Sequence, residues 1–222
     1  MKDINIHIPR AKSLKERAYD VLKDLIFAGK LEPGTLYNES RLAAKLGVSR
    51  TPVREALLEL SREGMMYFIP GKGIMVEKIT AEQVRDVYEV RRLIEGYIIK
   101  QIVPLVTPSD LSRLRAIILQ QEKAIEKTDK HAFIKADRKM HFYLSSKLGN
   151  RQMDIILLNL RDQIERMGIK AVEQDERKGH VIDEHNAILD ALEKGNETDA
   201  YNQLISHLCN SEKSLMLSIT EG

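Results

Sequence analysis

The sequence predicts a mainly α chain, with an N-terminal winged helix-turn-helix followed by a C-terminal all-helical antiparallel bundle of about six helices. Three observations carry that prediction. Two short amphipathic segments with a glycine turn between them, spanning Asn38 to Gly64, are followed by two short β-type runs around Pro70-Gly71-Lys72-Gly73. Beyond Thr80 no convincing strand pattern remains, and long helical periodicities alternate with short breaks. Charge is also uneven: residues 1–78 hold 14 Lys/Arg against 10 Asp/Glu, and the remainder holds 21 against 23. The implied domains are residues 1–76 and 80–222, joined by a linker at 77–79.

Residues 1–12 read as an irregular arm. From Ser13 to Ala28, Leu14, Ala18, Val21, Leu22, Leu25 and Ile26 recur at helical spacing, with Ser13 as N-cap and Gly29 as the stop. Leu31-Glu32-Pro33-Gly34 is a turn. In the next helix Leu42, Ala43 and Leu46 face a core, and Gly47 suits its C-terminus. Val48 plugs the corner. Ser49 is placed to cap the following helix, Pro52 sits in its first turn, and Val53, Ala56, Leu57 and Leu60 form its buried stripe. Arg50, Thr51 and Arg54 fall on the opposite side, near the helix start. A helix-turn-helix presents that end to the major groove, where arginine matches the O6/N7 edge of guanine. Met66–Pro70 and Gly73–Val76 then make a wing, whose tip offers Gly71 for close backbone approach and Lys72 for a phosphate or the minor groove.

The string SRTPVREAL, with the Leu60 to Gly64 spacing after it, resembles the signature of the GntR superfamily of bacterial transcription regulators. The resemblance implies a winged-helix DNA-binding domain that acts as a dimer on a palindromic double-stranded operator. In the fatty-acid regulator that gives the FadR subfamily its name, contacts come from the recognition helix and wing tip. By position they fall here on Ser49, Arg50, Thr51, Arg54 and Gly71, with Lys72 beside them. Two positions depart: Ser40 stands where that regulator has an arginine, and Pro70 where it has a histidine. Ser40 remains a candidate contact, but the operator sequence does not transfer.

Composition sets outer limits. The chain has 222 residues, 43% hydrophobic and 31% charged, with a net charge of +2, an ordinary globular balance. No apolar run approaches the roughly 18 residues of a membrane span, and the first ten residues lack the apolar core of a secretory signal. The single cysteine, Cys209, excludes an intrachain disulfide and fits a cytoplasmic protein.

The bundle helices are expected near Thr80–Val103, Pro108–Thr128, Lys130–Leu148, Arg151–Glu173, Glu176–Lys194 and Glu197–Ile219, with Thr107 and Asn196 as caps. Asp137 and His141 lie four apart, on one face of the third. His185 follows Glu184 in the fifth, and His207 lies among Tyr201, Leu204, Ile205 and Leu208 in the last. Converging helices would offer one carboxylate and three imidazoles, a set that suits zinc, nickel, cobalt, copper or manganese. Singly, each element also reads as surface polarity or as a core histidine. His7, His131 and His180 have no comparable pairing and read as solvent-exposed.

The bundle resembles the FCD ligand-binding domain of the FadR subfamily. Many members hold a metal through an Asp, a His four residues on, and two later His, an order that Asp137, His141, His185 and His207 match. Met140 replaces the usual aromatic before the first His. The resemblance implies a divalent transition metal, zinc first, and a small carboxylate effector. Arg91 in the first bundle helix is the candidate effector clamp; a salt bridge to Glu95 or Asp86 is the other reading of it. The leading function is thus a ligand-responsive regulator and not an enzyme. The alternative is a metal-dependent hydrolase with Glu184 as the nearest base, and a third reading is a purely architectural DNA binder.

Overall fold

The computed structural model describes residues 12–172 and 175–220, so the arm expected over residues 1–12 lies, Lys12 apart, outside the described residues. The chain divides into two compact units, Met1–Lys78 and Ile79–Gly222.

In the first unit, helix α1 (Leu14–Phe27) starts from a capping box: Ser13 accepts from the Glu16 amide, and the Glu16 carboxylate accepts from the Ser13 amide. Its buried face is Ala18, Leu22 and Ile26. Strand β1 (Leu36–Tyr37) leads into α2 (Glu39–Leu46), which Asn38 caps and Gly47 ends in the left-handed conformation at φ 67°. Helix α3 (Arg50–Arg62) buries Val53, Ala56, Leu57 and Leu60 completely. Each of its two leucines contributes about 1.5–3 kcal/mol through burial. Ser49 occupies the N-cap position of α3, but its side chain makes no capping hydrogen bond. The capping role expected of it is therefore not realised; the N3 position, whose amide an N-cap oxygen commonly takes, is Pro52, which has none.

Strands β2 (Met66–Ile69) and β3 (Gly73–Val76) form the wing hairpin, in register from Met66 opposite Val76 to Ile69 opposite Gly73. The sequence pattern does not reveal β1, whose two residues are too few to show alternation. It pairs antiparallel with β3, giving the order β1-β3-β2. Gly73 permits this pairing. At φ 138° a Cβ there would lie 2.3 Å from the Tyr37 carbonyl oxygen, so a side chain would push β1 away.

The second unit is helical throughout its described residues. It comprises α4 (Ala81–Ile102), a 3-10 turn at Val103–Leu105, α5 (Pro108–Glu126), α6 (Lys130–Leu148), α7 (Arg151–Ala171), α8 (Asp175–Glu193) and α9 (Glu197–Thr220). The Pro104 break is the 3-10 turn. Thr80 and Thr107 both form capping boxes, with Gln83 and Asp110. Helix α4 packs along α9, α5 against α6 and α8, and α7 against α6 and α9. The core between them includes Val84, Ile99, Leu114, Met140, Ile188 and Leu208. At Gly96 the α4–α9 approach is close enough that a Cβ would lie 3.0 Å from the Tyr201 ring. No helix of the described residues is long and apolar enough to cross a membrane.

Candidate functional site

The bundle brings Asp137 and His141 of α6, His185 of α8 and His207 of α9 to one point. One ligand atom from each can be chosen so that all lie within 4.8 Å of one another. His141 Nε2 is 3.2 Å from His207 Nε2, and Asp137 Oδ1 is 3.4 Å from His185 Nε2. Asp137 Oδ2 lies 4.0 Å from His141 Nε2, the separation that one helical turn gives. All three histidines are buried, His185 completely.

Each imidazole is held from behind through Nδ1: His141 by Glu95 Oε2 at 2.6 Å, His185 by Gln121 Oε1 at 2.9 Å, and His207 by Glu184 Oε2 at 2.8 Å. Both glutamates are ionised. Burial opposes the charge on Glu95, but the Arg91 guanidinium and His141 outweigh it and hold the carboxyl well below the ordinary range. Burial likewise opposes the charge on Glu184, and hydrogen bonds from His207 and Arg177 bring it to about 2. An ionised carboxylate can only accept, so Nδ1 of His141 and His207 carries a proton, which makes Nε2 the nitrogen that can ligate. Burial pushes His185 well below its ordinary value. Burial also leads the lowering of His207, so both rings are neutral at pH 7.

These protonation states test whether a metal fits. His141 Nε2 and His207 Nε2 face each other at 3.2 Å, a separation at which both can reach one shared cation. His185 Nε2 is buried without a hydrogen-bond partner, a cost of about 1–3 kcal/mol for an unsatisfied polar atom. Three nitrogen donors and one carboxylate oxygen, preset in the metal-binding tautomer, fit a divalent transition ion.

Beside this cluster is a cavity of about 320 Å³, whose lining includes Arg91, Asp137 and His141 together with Lys135 and with Leu157, Leu158 and Ile164 of α7. Arg91 is buried, its Nε donating to Glu95 Oε1 at 2.7 Å, so the salt-bridge reading of this residue is realised. That bond uses one nitrogen of the guanidinium. Among the described residues the outer two have no hydrogen-bond partner, so the fork remains available on the cavity side.

In the first unit Ser40, Ser49, Arg50, Thr51, Arg54, Gly71 and Lys72 are all exposed. Arg54 Nη1 lies 3.2 Å from Glu39 Oε2, a pair that the sequence reading did not anticipate. With Arg54 59% exposed, such a pair contributes about 0–1 kcal/mol and yields readily to a competing partner. A hollow between α2 and the wing is lined by Arg41, Lys45 and Lys72 with no acidic side chain. None of the three has an ion-pair partner among the described residues.

Sequence reasoning missed the groups behind the ligands, namely Glu95, Gln121, Arg177 and the role of Glu184. Glu184 turns away from the His185 ligand nitrogen, and both its oxygens are engaged by Arg177 at 2.8 Å, with one also bonded to His207. It is a support and not a free base, which removes the residue that the hydrolase alternative required. His131 and His180 are exposed, and His7 lies outside the described residues.

Comparisons with known proteins agree with this architecture. Residues 14–76 match the family of bacterial regulatory proteins called gntR, and residues 86–210 match the FCD domain. The HTH-type transcriptional regulator YdhC of Bacillus subtilis is 28% identical over 205 residues, 92% of each chain. The transcriptional repressor RspR of Escherichia coli K12 is 26% identical over 195 residues, 88% of this chain and 86% of its own. Among solved structures, a GntR regulator from Rhodococcus sp. RHA1 superposes with a TM-score of 0.79 at 24% identity, covering 92% of this chain and 98% of its own. Escherichia coli McbR/YncC does so with a TM-score of 0.73 at 23% identity, covering 93% and 99%. With an FCD domain over more than half its length behind a gntR-type DNA-binding domain, the chain belongs to the GntR family of transcription regulators.

Proposed function

We propose that this regulator is a homodimer that binds a palindromic operator through α3 and the wing, and that a small carboxylate at a zinc-type centre sets its DNA affinity. Asp137, His141, His185 and His207 would hold the ion, with nickel, cobalt or manganese able to replace zinc. When bound, the ion supplies a fixed positive charge for one carboxylate oxygen. Arg91 donates its two outer N–H groups to the same carboxylate, while Glu95 keeps the guanidinium in place. The observation that carries this reading is the trio of imidazoles fixed through Nδ1, whose free Nε2 atoms gather with Asp137 beside the Arg91 fork.

Ser49, Arg50, Thr51 and Arg54 are the proposed groove contacts, Ser40 a flanking one, and Gly71 and Lys72 the wing contacts. For the acid to switch the protein, it must bind the DNA-competent and incompetent states with different affinity; a hundredfold difference is about 2.7 kcal/mol. Repression is the expected direction, in line with relatives named as repressors. The reading is tested by a thermal-shift screen of organic acids, with zinc and with chelator, followed by gel shift on DNA from the protein's own promoter. The expected result is an acid that raises Tm only with zinc present and releases DNA. An acid that acts equally after chelation would remove the metal from the mechanism.

A further inference from the structure

We infer that the acid recognised beside the metal ligands carries an apolar body of about six to eight carbons rather than a hydroxylated one, an inference that rests on the cavity being the effector site. The cavity is divided by chemistry. Its charged lining includes Arg91, Glu95, Asp137 and His141; its apolar wall is Leu157, Leu158 and Ile164 of α7 with Phe142 of α6. That wall has no side-chain donor or acceptor. Of the other cations that line the cavity, Arg138 is paired with Glu165, Lys139 donates to Gln120 Oε1 at 3.0 Å, and Lys135 is exposed. A carboxylate held at the charged lining therefore directs the following carbons along aliphatic side chains. Hydroxyl groups on carbons that lie along those four side chains would give up water and gain no partner there.

The same wall explains two exposed apolar side chains. Leu158 is 42% and Phe142 46% exposed, both lining a concave space rather than an isolated surface spot. At about 30 Å³ for each water-sized group, the cavity of about 320 Å³ holds roughly ten non-hydrogen atoms. A carboxylate of three atoms leaves room for a body of about seven. Each methylene buried against the wall should tighten binding about fourfold until the cavity is full.

The test is calorimetric titration of the full-length, zinc-loaded protein with butanoate, hexanoate, octanoate and gluconate, the last being a six-carbon acid hydroxylated along its body. Octanoate, with seven carbons beyond the carboxylate, should bind most tightly, and hexanoate about fifteenfold more tightly than butanoate and at least tenfold more tightly than gluconate. Leu158→Gln, at a half-exposed position that folding tolerates, should weaken hexanoate at least fivefold and leave gluconate unchanged, whereas Arg91→Ala should weaken every acid that binds. Gluconate binding as tightly as hexanoate, or a Leu158→Gln variant with unaltered hexanoate affinity, overturns the apolar-body assignment and leaves the carboxylate reading standing. Failure of all four acids to bind, in the presence of stoichiometric zinc, overturns the carboxylate reading and this inference with it.

Discussion

Glu95 Oε2 lies 2.6 Å from His141 Nδ1, while the other oxygen of the same carboxylate accepts from Arg91 Nε at 2.7 Å. One buried glutamate thus fixes a ligand imidazole on one side and the candidate effector clamp on the other. Replacing it with glutamine keeps the shape, removes the charge and leaves Arg91 without its counter-ion. Glu95→Gln should weaken zinc binding about 10–100-fold, the usual scale for losing such a support. Chelator competition measures it, and equal zinc affinity in the two proteins would show that the carboxylate does not set the His141 tautomer.

His185 is the most enclosed of the candidate ligands, and its Nε2 has no hydrogen-bond partner among the described residues. His185→Ala should abolish stoichiometric zinc and the response to acids. The cost to the metal-free fold comes from the space left and from Gln121 Oε1 losing its donor, about 1–3 kcal/mol for the latter. The variant should remain helical by circular dichroism. Undiminished zinc by elemental analysis would take His185 out of the site.

Two kinds of DNA contact are separable on the first unit. Arg54, held by an exposed pair with Glu39 and lying over the Phe68 ring at 5.9 Å, is the proposed base reader, and Arg54→Ala should cost about 1–3 kcal/mol and relax sequence preference. Arg41, Lys45 and Lys72, around their shared hollow, suit phosphates. Lys45→Ala should weaken all sequences alike and lower the salt-dependence slope by about one. Gel shifts over a range of salt on specific and scrambled DNA distinguish these outcomes. An Arg54→Ala variant that keeps its discrimination would remove that residue from base reading.

The helix borders were legible because Pro108, Gly149-Asn150 and Gly195-Asn196 punctuate strong periodicity, and tertiary packing had no reason to override it. The metal-type donors were legible through the FCD resemblance, whose order Asp137, His141, His185 and His207 match; the one-turn spacing of Asp137 and His141 and the apolar stripe around His207 alone fitted surface polarity or a core histidine equally well. Their supports were not. Glu95 meets His141 across 46 residues, Gln121 meets His185 across 64, and Glu184 serves the histidine of another helix rather than its own neighbour. Such pairings depend on how helices slide past one another, which no local spacing records. Strand β1 was hidden because it is defined by its partner β3 and not by any pattern of its own.

Asp110 ties the start of α5 to the end of α6. Its Oδ1 accepts from the Tyr143 hydroxyl at 2.6 Å, and its Oδ2 from the Thr107 amide and hydroxyl at 2.8 and 2.6 Å and from Lys147 Nζ at 2.7 Å. Hydrogen bonds from Lys147, then Thr107 and Tyr143, hold its carboxyl well below the ordinary range, against the smaller opposing effect of burial. The unfolded chain therefore takes up a proton near pH 4 where the folded one does not. The stabilisation is complete above that pH and is lost as pH falls towards the folded value. At neutral pH Asp110→Asn should cost about 1–3 kcal/mol, since the amide cannot accept from every donor that the carboxylate serves. With chelator present in both proteins, urea midpoints should differ by a constant amount between pH 5 and 8 and converge below pH 4. A gap that stays constant down to pH 2.5 would mean that the charge on Asp110 contributes nothing and that its shape alone joins the two helices.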